Sequence, residues 1–329
     1  MININKILNS LIAVAIFCLA SCKKETDEFV PYIESDFSDT TWTSSSMNDT
    51  KSKAIVDALS SPASNNAFGA TNSLAVDINS NTQLILPANA YLLKGNSYTG
   101  IVNASLNSLL SKGDFVRNLI SSTGTNPLQE TVAAFNLNLK TPEKETLEFK
   151  PQNKFNINYA DSNFPGVGYN YYYGTIANQI GMTWSAADSS IGKLLNGPVT
   201  IQGNPKIAYI IEGNKLGWIA INKNLNVVNT VNCNVILPIN FTNKNTAVFV
   251  VLKNKNVVLK LAADANSKSF IGTKLPQGEV ATIIALSYLD NKFYLGYTIA
   301  NISNNAQYNI KTTTASISLA SLNSFLDGL

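Results

Sequence analysis

From residue 206 onward, short runs rich in Val, Ile, Tyr and Phe alternate with tight connections that carry Asn. Residues 208–212 and 216–222 flank Gly213-Asn214-Lys215, residues 246–252 and 257–262 flank Lys253-Asn254-Lys255-Asn256, and residues 279–288 and 292–300 flank Leu289-Asp290-Asn291. β-branched and aromatic side chains suit a pleated, half-buried surface, and Asn tolerates the positive φ that a tight hairpin needs. Three successive hairpins therefore predict an antiparallel sandwich over 161–329. Upstream, residues 73–77, 82–87, 99–106 and 131–139 repeat the pattern between the turn formers 79–81 and 94–96, with further strand-like runs at 146–149 and 155–159. These predict a second sandwich over 67–160. Phe115, Leu119 and Ile120 at helical spacing after Asp114 predict one helical turn, and residues 317–329 predict a short terminal helix. The fold class expected is all-β, with two antiparallel β-sandwich domains. A length of 329 residues is ample for two cores.

Composition narrows the chemistry. Only 14% of residues are charged, against about a quarter in an ordinary globular chain. Asn, Ser and Thr fill the deficit. The formal charge of +3 and a single arginine, Arg117, give no basic field for nucleic acid and almost no material for bidentate phosphate recognition. The chain has no histidine, which excludes Ser-His-Asp and Cys-His catalysis and His-ligated zinc. No metal or cofactor is expected. Glu143, Glu145 and Glu148 form the one dense acidic group, but they interleave with Lys140, Lys144 and Lys150 and read as a solvated surface rather than a hydrolytic pair. Cys233 sits in an apolar run and reads as a small buried side chain.

The N-terminus gives an address. Residues 11–20, LIAVAIFCLA, are apolar without interruption. That run is shorter than the roughly 20 residues a permanent span needs. It has the size of a secretory h-region and ends in Leu19-Ala20-Ser21-Cys22. This tetrapeptide resembles the lipobox of bacterial lipoproteins. The resemblance implies cleavage after residue 21, acylation of Cys22, and membrane lipid as a partner through its acyl chains. The charged run at 23–28, KKETDE, resembles the signal just after the acylated Cys that sends Bacteroidota lipoproteins to the cell surface. Residues 22–66, acidic and then rich in Ser and Thr, read as a flexible tether, with 51–60 able to form a turn or two of helix.

Two further resemblances concern the body. Residues 69–92 followed by TGIVNASL at 99–106 resemble the opening of a ZU5-like domain, a sandwich that implies support and interaction rather than catalysis. LGWIAINKN at 216–224 and the segment 274–297 resemble the C-terminal region of uncharacterised Bacteroidota lipoproteins, although the polar segment that follows Gly-Trp in that family is replaced here by Ile219-Ala220-Ile221-Asn222.

One cluster invites a ligand. Tyr169, Tyr171, Tyr172 and Tyr173 crowd between glycines, and Trp184 follows. Aromatic faces can stack on sugar C–H faces or anchor a protein partner. The competing expectation is that alternate rings pack on one sheet face or at the domain junction; Trp218, flanked by Gly217 and Ile219, reads as core. The sequence thus predicts a lipid-anchored outer-membrane protein facing the cell exterior, built as a non-catalytic binding or structural module with a glycan or protein ligand. The alternatives are a secreted carboxylate-dependent hydrolase and a subunit of an envelope complex.

Overall fold

A computed structural model of the chain describes residues 40–43, 47, 49–124, 127–161, 168–177, 181–303, 306–310 and 316–329. The leader, Cys22 and the charged run after it lie outside the described residues. The fold is all-β, with several antiparallel sheets.

Four sheet layers stack through three cores. A five-stranded sheet runs in the order β12 (Gly192–Ile201), β13 (Asn204–Gly213), β9 (Phe155–Tyr159), β3 (Thr82–Leu86), β2 (Leu74–Asn79). Beside it lies a three-stranded ribbon of β5 (Asn96–Ser97), β4 (Tyr91–Leu93) and β8 (Glu148–Phe149). Next comes a six-stranded sheet, in the order β1 (Ser64–Gly69), β6 (Ile101–Leu109), β7 (Gln129–Lys140), β14 (Gly217–Asn224), β10 (Asn170–Ala177), β11 (Gly181–Ala186). The third layer is β17 (Val258–Lys260), β16 (Thr246–Leu252), β20 (Val280–Leu289), β21 (Lys292–Asn301). The fourth is β18 (Ala262–Asp264), β19 (Ser269–Pro276), β15 (Thr230–Ile236), β22 (Ala306–Asn309), in which β22 joins β15 in parallel.

Successive residues of a strand face opposite ways, and here that alternation assigns side chains to cores. In β7, Phe135 and Leu137 face the five-stranded sheet while Ala134 faces the middle layer. In β16 all seven residues are buried: Ala247, Phe249 and Val251 enter the middle core, Val248, Val250 and Leu252 the outer one. A sheet covered on both faces reads as an unbroken apolar run, which TAVFVVL is. Cys233 is buried in the outer core against Gly272, where an added Cβ would stand 2.9 Å from its sulfur. Burial pushes its thiol pKa up.

Three helices close one end of the middle layer: α1 (Asp49–Leu59), α2 (Lys112–Arg117) and α3 (Leu319–Asp327). Ser111 caps α2, and Asp114 reaches back to the Ser111 N–H at 2.9 Å, a reciprocal capping box rather than a cap by Asp114 alone. Arg117, 6% exposed, bonds Asp114 at 3.2 Å, the Asn323 carbonyl at 3.1 Å and Asp327 at 2.5 Å. The only arginine thus ties α2 to α3 and is not available for recognition. Gly113 lets the two helices touch, since a Cβ there would lie 2.2 Å from the Leu326 carbonyl oxygen.

Three sequence expectations change. The division at 160/161 does not divide the sheets: β9 pairs with β13, and β7 with β14, so residues 170–224 complete the first sandwich. The chain leaves it only after β14. Residues 213–215 are not a hairpin turn, because β13 already has β12 and β9 on its two edges and β14 crosses to the six-stranded sheet. The tether does not extend to 66. Trp42 packs on Phe270 with ring centroids 5.2 Å apart, Thr43 N–H donates to Asn243 Oδ1 at 3.1 Å, Ile55 is fully buried, and β1 is paired along its length. The hairpins at 253–256 and 289–291 are present, the latter with Asp290 and Asn291 both at positive φ, 49° and 58°.

Candidate functional site

The aromatic cluster is divided between two cores. Tyr171, 2% exposed, enters the first core and lies over the cross-strand pair Gly192 and Gly213, whose absent side chains leave room for its ring. A Cβ on Gly192 would meet the Tyr171 ring at 2.7 Å and the Glu212 carbonyl at 2.2 Å. Burial raises the Tyr171 pKa, and its hydroxyl has no hydrogen-bond partner. Tyr172 points the other way into the middle core and donates to Asn224 Oδ1 at 3.1 Å. Trp184 is 5% exposed there and donates its Nε1–H to the Ser121 carbonyl at 3.1 Å. Three of the five aromatics expected to meet a ligand are therefore spent on packing. Trp218 lines the same middle core, half-buried.

The other two are covered by cations. Lys215 Nζ stands 3.5 Å from the Tyr173 ring centroid, and Lys223 Nζ stands 4.6 Å from that of Tyr169. Lys223 also pairs with Glu130 at 2.8 Å. Burial pulls the Glu130 carboxyl up, but Lys223 and the Asn256 N–H outweigh it and hold it below the ordinary value. This knot pins β7, β14 and the 253–256 turn together.

The remaining shifted carboxylates, Asp188 and Asp264, are also held toward the ionised form, each by a local Ser hydroxyl and backbone N–H groups. That pattern suits turn closure rather than a proton donor, since a general acid needs a carboxyl held protonated. Among the described residues no group of three or more His, Cys, Asp and Glu comes together to hold a metal ion. Glu145, from the acidic group, pairs with Lys94 at 2.6 Å, and Glu143 and Glu148 are exposed.

Two concave surfaces stand out. An apolar slot of about 440 Å³ lies between Leu147, Phe149, Ile191 and Leu216, with Asn214 bracing its rim through bonds of 3.1 Å to the Pro151 and Ser190 carbonyls. The larger, about 630 Å³, lies on the outer part of the six-stranded sheet, over β1, β6 and β7. Its floor comes from the strand faces turned away from the first core, beyond the helices. The register builds it row by row: Asn65, Ser105 and Asn138 lie side by side, then Ala67, Asn103 and Lys140. Lys144, held at a φ of 69° in the turn after β7, overlooks the floor. Along the same face, Asn107 donates to Asn118 Oδ1 at 3.4 Å, and Asn138 donates to Asn136 Oδ1 at 3.2 Å. The sequence signal was available: Asn103, Ser105 and Asn107, then Asn136, Asn138 and Lys140, recur at every second position of two adjacent strands. The tyrosines are more conspicuous in the sequence, but period two sent one of them into each core.

No family model matches the chain, and neither a curated protein nor a solved structure is significantly similar to it.

Proposed function

We propose that the protein is a lipid-anchored, surface-displayed module of the outer membrane that binds a ligand without transforming it. The observation that carries this reading is the lipobox Leu19-Ala20-Ser21-Cys22 at the end of an apolar run of h-region length. The body adds support. Among the described residues Trp42 already packs on Phe270, so acyl chains on Cys22 would lie about twenty residues of sequence from a contact with the stacked sheets. Two or three acyl chains satisfy the requirement of more than one lipid for stable anchoring. The shifted carboxylates are all held ionised, and the open polar groove on the six-stranded sheet presents hydrogen-bonding groups without a reactive one.

The test is metabolic labelling with an alkyne palmitate, followed by brief protease treatment of intact native cells. The protein should take up label, Cys22→Ala should abolish uptake, and the body should be shaved while a periplasmic control survives. Unlabelled protein would remove the anchor from this reading. Labelled protein that resists protease until the outer membrane is broken would place it on the periplasmic side.

A further inference from the structure

We propose that the carboxamide floor formed by β1, β6 and β7 binds an acidic oligosaccharide, a chain of hydroxyl-rich rings that bears carboxylates. The proposal deepens the binding reading above and rests on it. Each Asn side chain offers two donors and an acceptor with two lone pairs, the complement of a vicinal hydroxyl pair. Asn65, Asn103 and Asn138 stand on three adjacent strands, about 4.8 Å apart from strand to strand. They form a staggered array, with Asn65 and Asn138 in one row and Asn103 in the next beside Ala67 and Lys140. Ser105 adds a hydroxyl between them, and the Ala67 methyl leaves an apolar spot where a ring face can lie. Asn65, Asn103 and Asn138 are all exposed; Asn65 donates to the Ala63 carbonyl at 3.0 Å and Asn138 to Asn136 Oδ1 at 3.2 Å, which leaves each amide one N–H and its oxygen to exchange from water to ligand.

Charge selects among sugars. Lys140 and Lys144 line the groove, both exposed and neither in an ion pair among the described residues, and no carboxylate lines it with them. Elsewhere the same protein closes charges locally: on β13, Glu212 accepts a hydrogen bond from Lys154 at 3.3 Å and forms an ion pair with Lys193 at 3.6 Å. Two ammonium groups beside neutral carboxamides, with no carboxylate on the groove floor, match a polyhydroxylated anion better than a neutral glycan. They match it better than a peptide as well, which would seek an apolar pocket for its anchors.

The experiment is titration of the full-length protein, in detergent micelles, with a hexamer of galacturonic acid and separately with a hexamer of glucose. The acidic hexamer should bind with a Kd below about 1 mM. The neutral one should bind roughly tenfold more weakly or worse, and the difference should shrink as salt is raised. Asn103→Ala with Asn138→Ala should weaken binding roughly tenfold. Lys140→Met with Lys144→Met should remove the preference for the acidic chain. All four side chains are exposed, so the melting temperatures should stay unchanged and report intact folds. The inference is overturned if the acidic hexamer does not bind, if both hexamers bind equally, or if neither double variant changes binding. Failure of the hexamer with successful palmitate labelling and shaving removes the groove assignment and leaves the anchored module. Binding at the groove without acylation of Cys22 removes the anchor and leaves the groove.

Discussion

Burial acts on the Lys260 ammonium more than on that of Lys112, the other lysine whose pKa it lowers. Lys260 ends β17 facing the middle core, opposite Phe249 and on the same side as Val258. The side chain is half-buried, its ammonium has no hydrogen-bond or ion-pair partner among the described residues, and burial lowers its pKa to about 8. The sign of the linkage follows. Below pH 8 the ammonium is charged in both folded and unfolded chains, and the full burial penalty applies. As pH rises past 8 the folded protein releases the proton while the unfolded chain holds it to about 10.5, so stability rises. Above about pH 10 unfolded tyrosines ionise, whereas burial keeps Tyr159, at about 12, and Tyr171 protonated in the fold, so stability falls again. Urea denaturation should show a gain of about 1–2 kcal/mol between pH 8 and 10. Lys260→Met should be more stable than the natural protein at pH 7 and should lose that gain. A flat profile in both proteins would show that the amine is solvated.

At the scale of elements, helix docking hangs on one side chain. Arg117 reaches Asn323 and Asp327 on α3 from α2, and Gly113 permits the close approach. Arg117→Ala should cost about 2 kcal/mol, because charged hydrogen bonds are lost while the Asn323 carbonyl stays behind. Amides of residues 319–327 should exchange faster, with strands of the first core unaffected. Unchanged exchange at 319–327 would mean that α3 docks through Leu322 and Leu326 alone. Elements themselves were legible in the sequence: β2, β3, β6, β7, β9, the two later hairpins, α2 and α3 all follow from periodicity and turn residues. Their partners were not. Gly213-Asn214-Lys215 has hairpin chemistry, yet the Asn214 amide bonds the Pro151 and Ser190 carbonyls while β13 is paired on both edges. Local residues specify that a chain turns, whereas strand choice depends on which edges are already taken. The groove was legible in the same limited way. Alternate Asn on β6 and on β7 can be read from each strand, but their side-by-side register comes only from the pairing of Ser105 with Asn138 and of Asn103 with Lys140.

The whole molecule has two sandwiches by strand pairing but no clean seam between them. The six-stranded sheet gives one face to the first core and the other to a middle core that it shares with β16, β20 and the helices. Trp184, Phe249 and Leu322 belong to the same apolar cluster although they come from the first sandwich, the second and the C-terminus. Cores that share a layer cannot lose one half without exposing the other. Calorimetry should therefore give one unfolding transition for the body. Two separated transitions would show that the middle core is a weak contact between independent units.

The docking of Trp42 on Phe270 has a mechanical meaning. Phe270 belongs to β19 in the outermost sheet of the second sandwich, whereas the carboxamide groove belongs to the first. Among the described residues, the stretch of chain nearest to Cys22 meets the body through Trp42 and the Thr43–Asn243 bond, on the sandwich that does not carry the groove. The stretch from residue 22 to residue 40 reaches at most about 60 Å when fully drawn out. A pull applied at Trp42 would fall first on the second sandwich, and the strands that carry the groove lie outside that contact.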